Sequence, residues 1–337
     1  MKKYFFILAA AAALAACAKN EVTPVLSNEN TEIAYNVAPK TKALDEAKQE
    51  NFDQHNVFAS WAYYLPKDHT WAADKATSQP YIVNSKISHK NGIWKDQTKS
   101  YHWPKDGGSL TFLAYSLNKE NLTLAEGSEF TCTNTGGVQG HIDLKDNKNT
   151  DFLVAEIAAD KTANENQYVF NGVPTLFKHK LSRVACTVKK AADYADKKFE
   201  LKEINFLSVA TYGSYAQLPD EKFTAGTVKH DQIYTKAVQE ITTTAAAVAA
   251  EEVVIYMPQT FADATAQIQV KYTVTTTVGT GSVVENCVKE ISIKDKFAEW
   301  AMGKKYTFNI TFALDEITWD PAVEKWEDAT AADVTIQ

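Results

Sequence analysis

The stretch QIQVKYTVTTTV, residues 267–278, alternates apolar and polar side chains. Its apolar face consists of Ile268, Val270, Tyr272, Val274 and Val278. Because successive side chains of a β-strand point to opposite faces, a period of two predicts a strand with one buried face. Residues 306–314, YTFNITFAL, repeat the pattern with aromatic and β-branched residues, which favour strands. The two stretches therefore predict a protein built from half-buried strands.

Other segments extend this pattern, and long helical periodicity is scarce. Residues 253–258, VVIYMP, are apolar on both faces and predict a central strand that ends at Pro258. In residues 175–188 the alternation changes phase near Ser182 and Arg183, which predicts a bulge or a strand that changes sheet. The predicted fold class is therefore all-β.

The length of 337 residues suggests two domains. A charged, alanine-rich segment, KKAADYADKK at residues 189–198, is the best candidate joint between them. This division predicts an N-terminal β-sandwich over residues 43–192 and a C-terminal β-sandwich over residues 193–337.

The N-terminus has the features of an export signal. Two lysines precede an apolar run, which is too short to span a bilayer and ends in small residues before Cys17. This ending resembles a bacterial lipobox, so we expect residues 1–16 to be a lipoprotein signal peptide and Cys17 to carry the lipid. The alternative is an ordinary cleaved signal followed by an incidental cysteine.

Residues 17–42 form a polar leader or linker that contains one unexpected feature. The stretch TEIAYNVAP, residues 31–39, places Ile33, Tyr35 and Val37 on one face of a short predicted strand. A strand with an apolar face is not expected in a soluble linker, so we expect this face to pack against another part of the protein.

The composition argues against nucleic-acid binding. The formal net charge is -7, and Arg183 is the sole arginine beside 34 lysines, so the chain lacks the basic stripe that phosphate binding requires. Cys132, Cys186 and Cys287 could form at most one disulfide, but buried reduced cysteines are the favoured interpretation.

No motif for catalysis, metal binding or cofactor binding is present. The histidines lack the spacing of a zinc helix, and no serine lies in a nucleophile elbow. Residues 143–151, DLKDNKNTD, carry several oxygen ligands but lack the glycine and glutamate of a calcium loop, so a solvated loop is favoured. His179 alternates with Phe177 and Leu181 and is interpreted as a core residue. We predict that the protein is not an enzyme and uses no cofactor.

Seven tryptophans leave an alternative function open. Exposed indoles stack on sugar rings, and Trp71, Trp94 and Trp103 lie in polar surroundings. The alternative is therefore a surface glycan-binding lipoprotein, although tryptophans more often fill the core of a sandwich.

Several stretches together resemble the fimbrillin family, the lipoprotein precursors of type V pilus subunits in Bacteroidales. They occur in family order and are the lipobox with CAKNEV (17–22), YHWPKDGGSLTFLAYS (101–116), TDFLVAE (150–156), PTLFKHKLSRVACTVK (174–189), IYMPQTF (255–261) and EWAMGKKYTFNITF (299–312).

The resemblance implies two tandem transthyretin-like β-sandwich domains, no catalysis and assembly by strand exchange. Ile33, Tyr35 and Val37 would then plug a groove until the leader is removed, and the groove would accept a strand from another subunit. The implied donor is the C-terminal ADVTIQ with Val334 and Ile336 on one face; a plain terminal edge strand is the alternative. The expected partners are other pilus subunits, the outer membrane through the lipid, and a host or bacterial surface ligand. The expected location is the outer membrane or the fimbrium.

The leader departs from the family in one respect. Family members are commonly processed after an arginine, and this leader contains none. Cleavage would have to follow Lys42, or Lys40, and a cut after Lys42 makes Ala43 the first mature residue. An uncleaved, lipidated chain would suit an anchor at the base of a pilus.

The lipid anchor leads to a first prediction. Replacing Cys17→Ala should move the protein from the membrane fraction to the soluble fraction, because multiple acyl chains account for stable attachment. Fractionation followed by immunoblotting measures the change, and retention in the membrane would contradict the anchor.

Overall fold

The structure is a computed structural model that describes residues 32–37, 52–163, 172–249, 253–314 and 317–326. Within these ranges the regular structure is almost entirely β-strand. It includes one short helix, α1 (Trp71–Asp74), which continues into a 3₁₀ turn at Lys75–Thr77. The prediction of an all-β protein is confirmed.

Eleven strands precede residue 180 in the described part of the chain. They are β1 (Tyr35–Val37), β2 (Val57–Leu65), β3 (Gln79–Lys90), β4 (Ile93–Asp96), β5 (Ser109–Ser116), β6 (Glu129–Thr133), β7 (Gly137–Asp143), β8 (Leu153–Ala155), β9 (Ala158–Lys161), β10 (Val173–Thr175) and β11 (Phe177–His179). Nine of them form one sheet in the order β10-β1-β4-β3-β2-β5-β8-β11, with β9 paired to β5.

The strands that follow residue 180 build the other sheets. They are β12 (Ser182–Lys190), β13 (Lys197–Ala210), β14 (Tyr212–Ala216), β15 (Lys222–Ala225), β16 (Lys229–Thr235), β17 (Gln239–Ile241), β18 (Ala246–Ala247), β19 (Ile255–Tyr256), β20 (Gln259–Thr260), β21 (Gln267–Val278), β22 (Gly281–Ser292), β23 (Glu299–Trp300), β24 (Lys304–Phe312) and β25 (Ile317–Lys325). The sheet orders are β18-β12-β24-β25 with β19 on β12, β16-β13-β21-β22 with β17 on β13, β15-β14-β7-β6, and the pair β20-β23.

Strand β2 is buried on both faces and separates two hydrophobic cores. Phe58 and Ala62 face the leader core, which we define as the cluster that includes the side chains of β1. Trp61 and Tyr63 face the inter-sheet core, where the nine-stranded sheet packs on the sheet formed by β6, β7, β14 and β15. Alternation in a strand normally separates core from solvent, but here it separates one core from another.

The third core, the C-terminal core, lies between the sheets of β12 and β13. Strand β24 buries its alternate residues there, as its pattern predicts: Tyr306, Phe308, Ile310 and Phe312. In β21 the prediction holds for Ile268 and Val270 but is wrong for Val278, which is 61% exposed. The pairing of β13 with β21 begins at Lys197↔Thr276, so the tip of the β21–β22 hairpin extends beyond that support.

The chain changes sheet between β11 and β12, as the phase change predicts. Strand β11 pairs with β8 in the nine-stranded sheet, whereas β12 pairs in parallel with β24. The central strand predicted at residues 253–258 is reduced to the two residues of β19, which pair with β12. This segment is apolar on both faces because it lies between two cores. Tyr256 enters the C-terminal core, while Ile255 and Met257 enter the inter-sheet core.

Strands cross the predicted joint near residue 192 in both directions. Strand β12, which precedes the joint, pairs with β18, β19 and β24, which follow it. Strand β14, which follows the joint, pairs with β7 and contributes Tyr215 to the inter-sheet core. The division into 43–192 and 193–337 stays a prediction, and these pairings tie the two segments together.

The C-terminal core leads to a stability prediction. Phe206 is fully buried and makes edge-to-face contacts with four aromatic rings: Tyr234, Tyr256, Trp300 and Phe308. Replacing Phe206→Ala should lower the free energy of unfolding by about 3–5 kcal/mol, because a cavity forms and packing is lost. Urea denaturation measures this.

A matched control for this prediction is Val238→Ala, since Val238 is 63% exposed. It should change the free energy of unfolding by no more than about 0.5 kcal/mol. An equal loss of stability in both variants would show that Phe206 does not organise the core.

Candidate functional site: the groove occupied by β1

Strand β1 lies in the interior of the nine-stranded sheet. It pairs in parallel with β10, in the register Tyr35↔Val173 to Val37↔Thr175, and antiparallel with β4 at Tyr35↔Trp94. The amide of Val173 donates to the carbonyl of Ala34 at 2.8 Å. Without β1, the facing edges of β10 and β4 would both lose backbone partners, and a groove would remain between them.

The alternate side chains Ile33, Tyr35 and Val37 are 3%, 5% and 8% exposed, and all three belong to the leader core. Tyr35 packs edge to face on Phe58 and Phe112, with ring centroids 5.3 and 5.8 Å apart. These contacts are those of a core strand.

A polar anchor lies at the bottom of the groove. The hydroxyl of Tyr35 donates to Ser60 Oγ at 2.9 Å, and Ser60 Oγ lies 3.4 Å from the carbonyl oxygen of Leu113. Burial raises the pKa of Tyr35, so its phenol remains a neutral hydrogen-bond donor. This hydrogen bond satisfies a polar group that burial would otherwise leave unpaired.

Polar contacts also hold the N-terminal end of this segment. Lys95 Nζ lies 2.7 Å from Glu32 Oε2, Glu32 forms an antiparallel bridge with His102, and the amide of Ile33 donates to Tyr101 at 2.7 Å. The hydrogen bond from Lys95, followed by one from Ser100, lowers the pKa of Glu32. The ion pair is therefore complete above the ordinary glutamate range and is lost as the pH falls through this lowered pKa.

Two further features shape the groove. Phe52, the first residue described after β1, stacks on Phe177 at 4.8 Å and contacts Trp94 at 5.4 Å. Gly172 lies so close to the strand that a Cβ there would be 2.9 Å from the carbonyl oxygen of Ala34. Sequence reasoning missed Gly172, although an isolated glycine beside a strand is a signal of close backbone approach.

The other predicted site residues fall outside the described part of the chain. They are the lipidation site Cys17, the cleavage site Lys42 and Ala43, and the candidate donor residues Val334 and Ile336. The described chain ends at Trp326, which is buried and stacks on His179 at 3.9 Å. His179 Nδ1 also lies 2.7 Å from Asp151 Oδ2, so it packs inside the protein.

The three tryptophans considered for sugar binding do not form an exposed surface. Trp71, Trp94 and Trp103 are all buried, which agrees with the favoured interpretation that tryptophans fill the core and removes the basis for the glycan-binding alternative at these three positions. The cause is aromatic packing, since Trp71 lies on Tyr63 and Trp103 on Phe112. Polar neighbours in the sequence concealed this packing, because the rings that cover the two tryptophans come from other segments of the chain.

The cysteines and acidic groups that the structure describes suggest no metal or redox centre. Cys132 and Cys186 are buried free thiols, and burial raises the pKa of Cys132 to about 12. Cys287 departs from the expected burial because it lies half-exposed on β22. Among the residues that the structure describes, no group of three His, Cys, Asp or Glu residues could hold a metal ion. No helix within the same ranges is long and apolar enough to cross a bilayer.

The close approach at Gly172 leads to a prediction. Replacing Gly172→Ala should displace β1 at a cost of about 1–3 kcal/mol, because the new methyl group overlaps the Ala34 carbonyl. Hydrogen exchange of residues 32–37 should accelerate about tenfold or more. In the control Gly281→Ala the Cβ would meet only the carbonyl oxygen of Val278 at 3.7 Å, so protection should be unchanged. Equal protection in both variants would contradict the steric argument.

Comparison with solved structures identifies the same fold in other proteins. The chain is similar to a fimbrial protein from Bacteroides vulgatus, with 16% identity and a TM-score of 0.69, covering 89% of this chain and 100% of that one. It is also similar to a candidate cell adhesion protein from Bacteroides uniformis, with 17% identity and a TM-score of 0.52, covering 88% and 99% of the two chains. No curated protein matches the sequence.

A family model described as fimbrillin-like matches residues 41–326. The match spans most of the chain and includes strands of all the sheets described above. Members of this family are structural proteins, which agrees with the prediction that the chain is not an enzyme. The chain belongs to the fimbrillin-like family.

Proposed function

We propose that the protein is a structural subunit or anchor of a surface pilus, exported as a lipoprotein through Cys17. In this proposal β1 fills the groove until the leader is removed, and the emptied groove accepts a strand from another subunit. The observation that carries the proposal is the position of β1, a three-residue strand near the N-terminus that is paired on both sides and buried.

The energetics favour replacement of β1 over an empty groove. Removing the segment that contains β1 would expose the pockets of Ile33, Tyr35 and Val37, and burial of side chains of this size is worth about 1.5–3 kcal/mol each. It would also leave two strand edges without hydrogen-bond partners in a largely apolar setting. An incoming strand with apolar residues at alternate positions restores both, which is the physics of β-strand addition.

The C-terminus of the chain offers such a strand. Val334 and Ile336 are two residues apart, like Ile33 and Tyr35, so they match the spacing of neighbouring pockets in the groove. Residues 327–337 continue the chain after Trp326, which gives the donor a fixed starting point. A plain terminal edge strand is the alternative for this segment.

Leader removal after Lys42, or after Lys40, would release β1 because the cut falls between β1 and the rest of the sheet. The mature chain would begin at Ala43 after the first of these cuts and would assemble as two transthyretin-like sandwich units over residues 43–192 and 193–337. An uncut chain would keep both its lipid and its filled groove. Such a chain accepts no strand and suits the base of a pilus.

A reversible lock on β1 tests the proposal. Glu32 and His102 are directly opposed in an antiparallel bridge, and such pairs lie within the Cα separation that a disulfide requires. In the variant Glu32→Cys/His102→Cys, an oxidised bond should hold β1 in the groove even after the leader is cut. We expect processed monomers that fail to polymerise and that polymerise once a reductant is added.

Electron microscopy and non-denaturing gels measure polymerisation, and N-terminal sequencing of the reduced chain shows whether cleavage has occurred. Glu32→Cys alone is the matched control, since it loses the Lys95 ion pair but cannot form the lock. It should polymerise without reductant. Polymers that form from the oxidised, cleaved double variant would show that the groove of β1 is not the acceptor.

A further inference from the structure

Strand β22 forms an exposed edge of the C-terminal part of the fold. In the sheet β16-β13-β21-β22 its one partner among the described strands is β21, with which it pairs over the full length from Gly281 to Ser292. Three of its valines, Val283, Val284 and Val288, are 62%, 57% and 60% exposed. A long, regular and apolar strand edge is a template for pairing with another chain unless something blocks it.

The register of the hairpin shows which backbone groups are available. Val278 pairs with Gly281 across a two-residue loop, and that flanking pair exchanges both of its hydrogen bonds. Odd-numbered residues of β22 therefore direct their amide and carbonyl groups toward β21, and even-numbered residues direct theirs outward. The register has no shift along β22, so a continuous row of donors and acceptors faces away from the sheet.

We propose that this edge pairs with β22 of a second copy of the chain, antiparallel and centred on Cys287. The two copies would share a two-fold axis, so each contact occurs twice. The resulting sheet would combine the two five-stranded sheets and continue from β16 of one copy to β16 of its partner.

Charge complementarity carries the choice of partner and register. With Cys287 on the axis, Glu285 of each copy lies opposite Lys289 of the other, and Val283 lies opposite Ile291. Cross-strand pairs of opposite charge and of apolar side chains both stabilise a sheet. The odd-numbered face of β22 is therefore complementary to its own reverse.

Other registers of the two β22 strands form less favourable cross-strand charge pairs. The outward-facing amide and carbonyl groups of the two strands meet only when the two-fold axis passes through a residue. The alternative registers are therefore those in which the axis moves from Cys287 to another residue of β22. An axis at Glu285 opposes two glutamates, and an axis at Lys289 opposes two lysines, which is destabilising. An axis at Asn286 or Val288 leaves Glu285 and Lys289 opposite uncharged residues. Among these registers, the one centred on Cys287 alone pairs Glu285 with Lys289.

The same register can be detected by a disulfide between the two copies of Cys287. Cys287 directs its backbone groups toward β21, so the two copies of Cys287 would form a non-hydrogen-bonded pair, with Cα atoms about 4.5 Å apart. That distance lies in the range of a disulfide. Cys132 and Cys186 are buried, so Cys287 is the most accessible thiol among the described cysteines.

This contact is separate from the proposed strand exchange. The sheet that contains β22 includes neither β1 nor its neighbours β4 and β10. Side-by-side pairing therefore requires neither leader removal nor the C-terminal strand, and one can fail without the other.

The experiment uses the full-length, unprocessed Cys17→Ala chain, in which Cys287 is the exposed thiol to be probed. Copper(II)–phenanthroline in air serves as the oxidant: two Cys287 thiols lose two protons and two electrons, and dioxygen is reduced through copper. We expect a reducible species at twice the 37.4 kDa chain mass on non-reducing gels. It should disappear with Cys287→Ser and persist with Cys132→Ser.

Charge variants distinguish the proposed register from random collision. Glu285→Lys should slow disulfide formation about tenfold, because two attractive pairs become repulsive. Glu285→Lys/Lys289→Glu should restore the rate, since the exchange keeps the complementarity. Glu290→Lys, on the other face of the strand, is the matched control and should have little effect. The absence of the dimer, or a rate that Glu285→Lys leaves unchanged, would overturn the proposal.

Discussion

The nine-stranded sheet depends on the backbone pairing of one short strand. Strand β1 lies between β10 and β4, which are far apart in sequence and are joined in the sheet only through it. Its buried side chains, Tyr35 and Val37, complete a core to which most other strands of the sheet contribute, so hydrogen bonding and burial act on the same short segment. A segment before residue 40 is thus part of the interior, and the groove around it exists because the rest of the sheet cannot close without it.

Local alternation predicted much of this architecture. It indicated the all-β class, the burial in β24, the change of sheet after β11 and the apolar face of the segment that contains Ile33. These features depend on the period of two within one segment, which sequence displays directly. The burial of β1 agrees with this pattern, because a strand with an apolar face is stable only when that face packs against other apolar side chains.

Features that depend on distant partners were not predictable in this way. The close approach of Gly172 to Ala34 arises from the pairing of β1 with β10, and nothing near either residue specifies that pairing. The burial of Trp94 depends on contacts with Phe52 and Phe58, which other parts of the chain supply. The pairing of β12 with β24 and of β14 with β7 across residue 192 could not be predicted for the same reason, since strand order in a sheet is a property of the whole chain.

The direction of β1 has a consequence for any assembly built through its groove. β1 runs parallel to β10 and antiparallel to β4, so a strand that takes its place and keeps these pairings must enter in one direction only. A contact between a groove on one subunit and a terminus of the next joins two different surfaces. Repetition of such a contact lines up subunits that all point the same way, and it generates an open filament wherever the rotation at each contact does not close a ring. The polarity of a filament would thus already be set by the parallel pairing of three residues with β10.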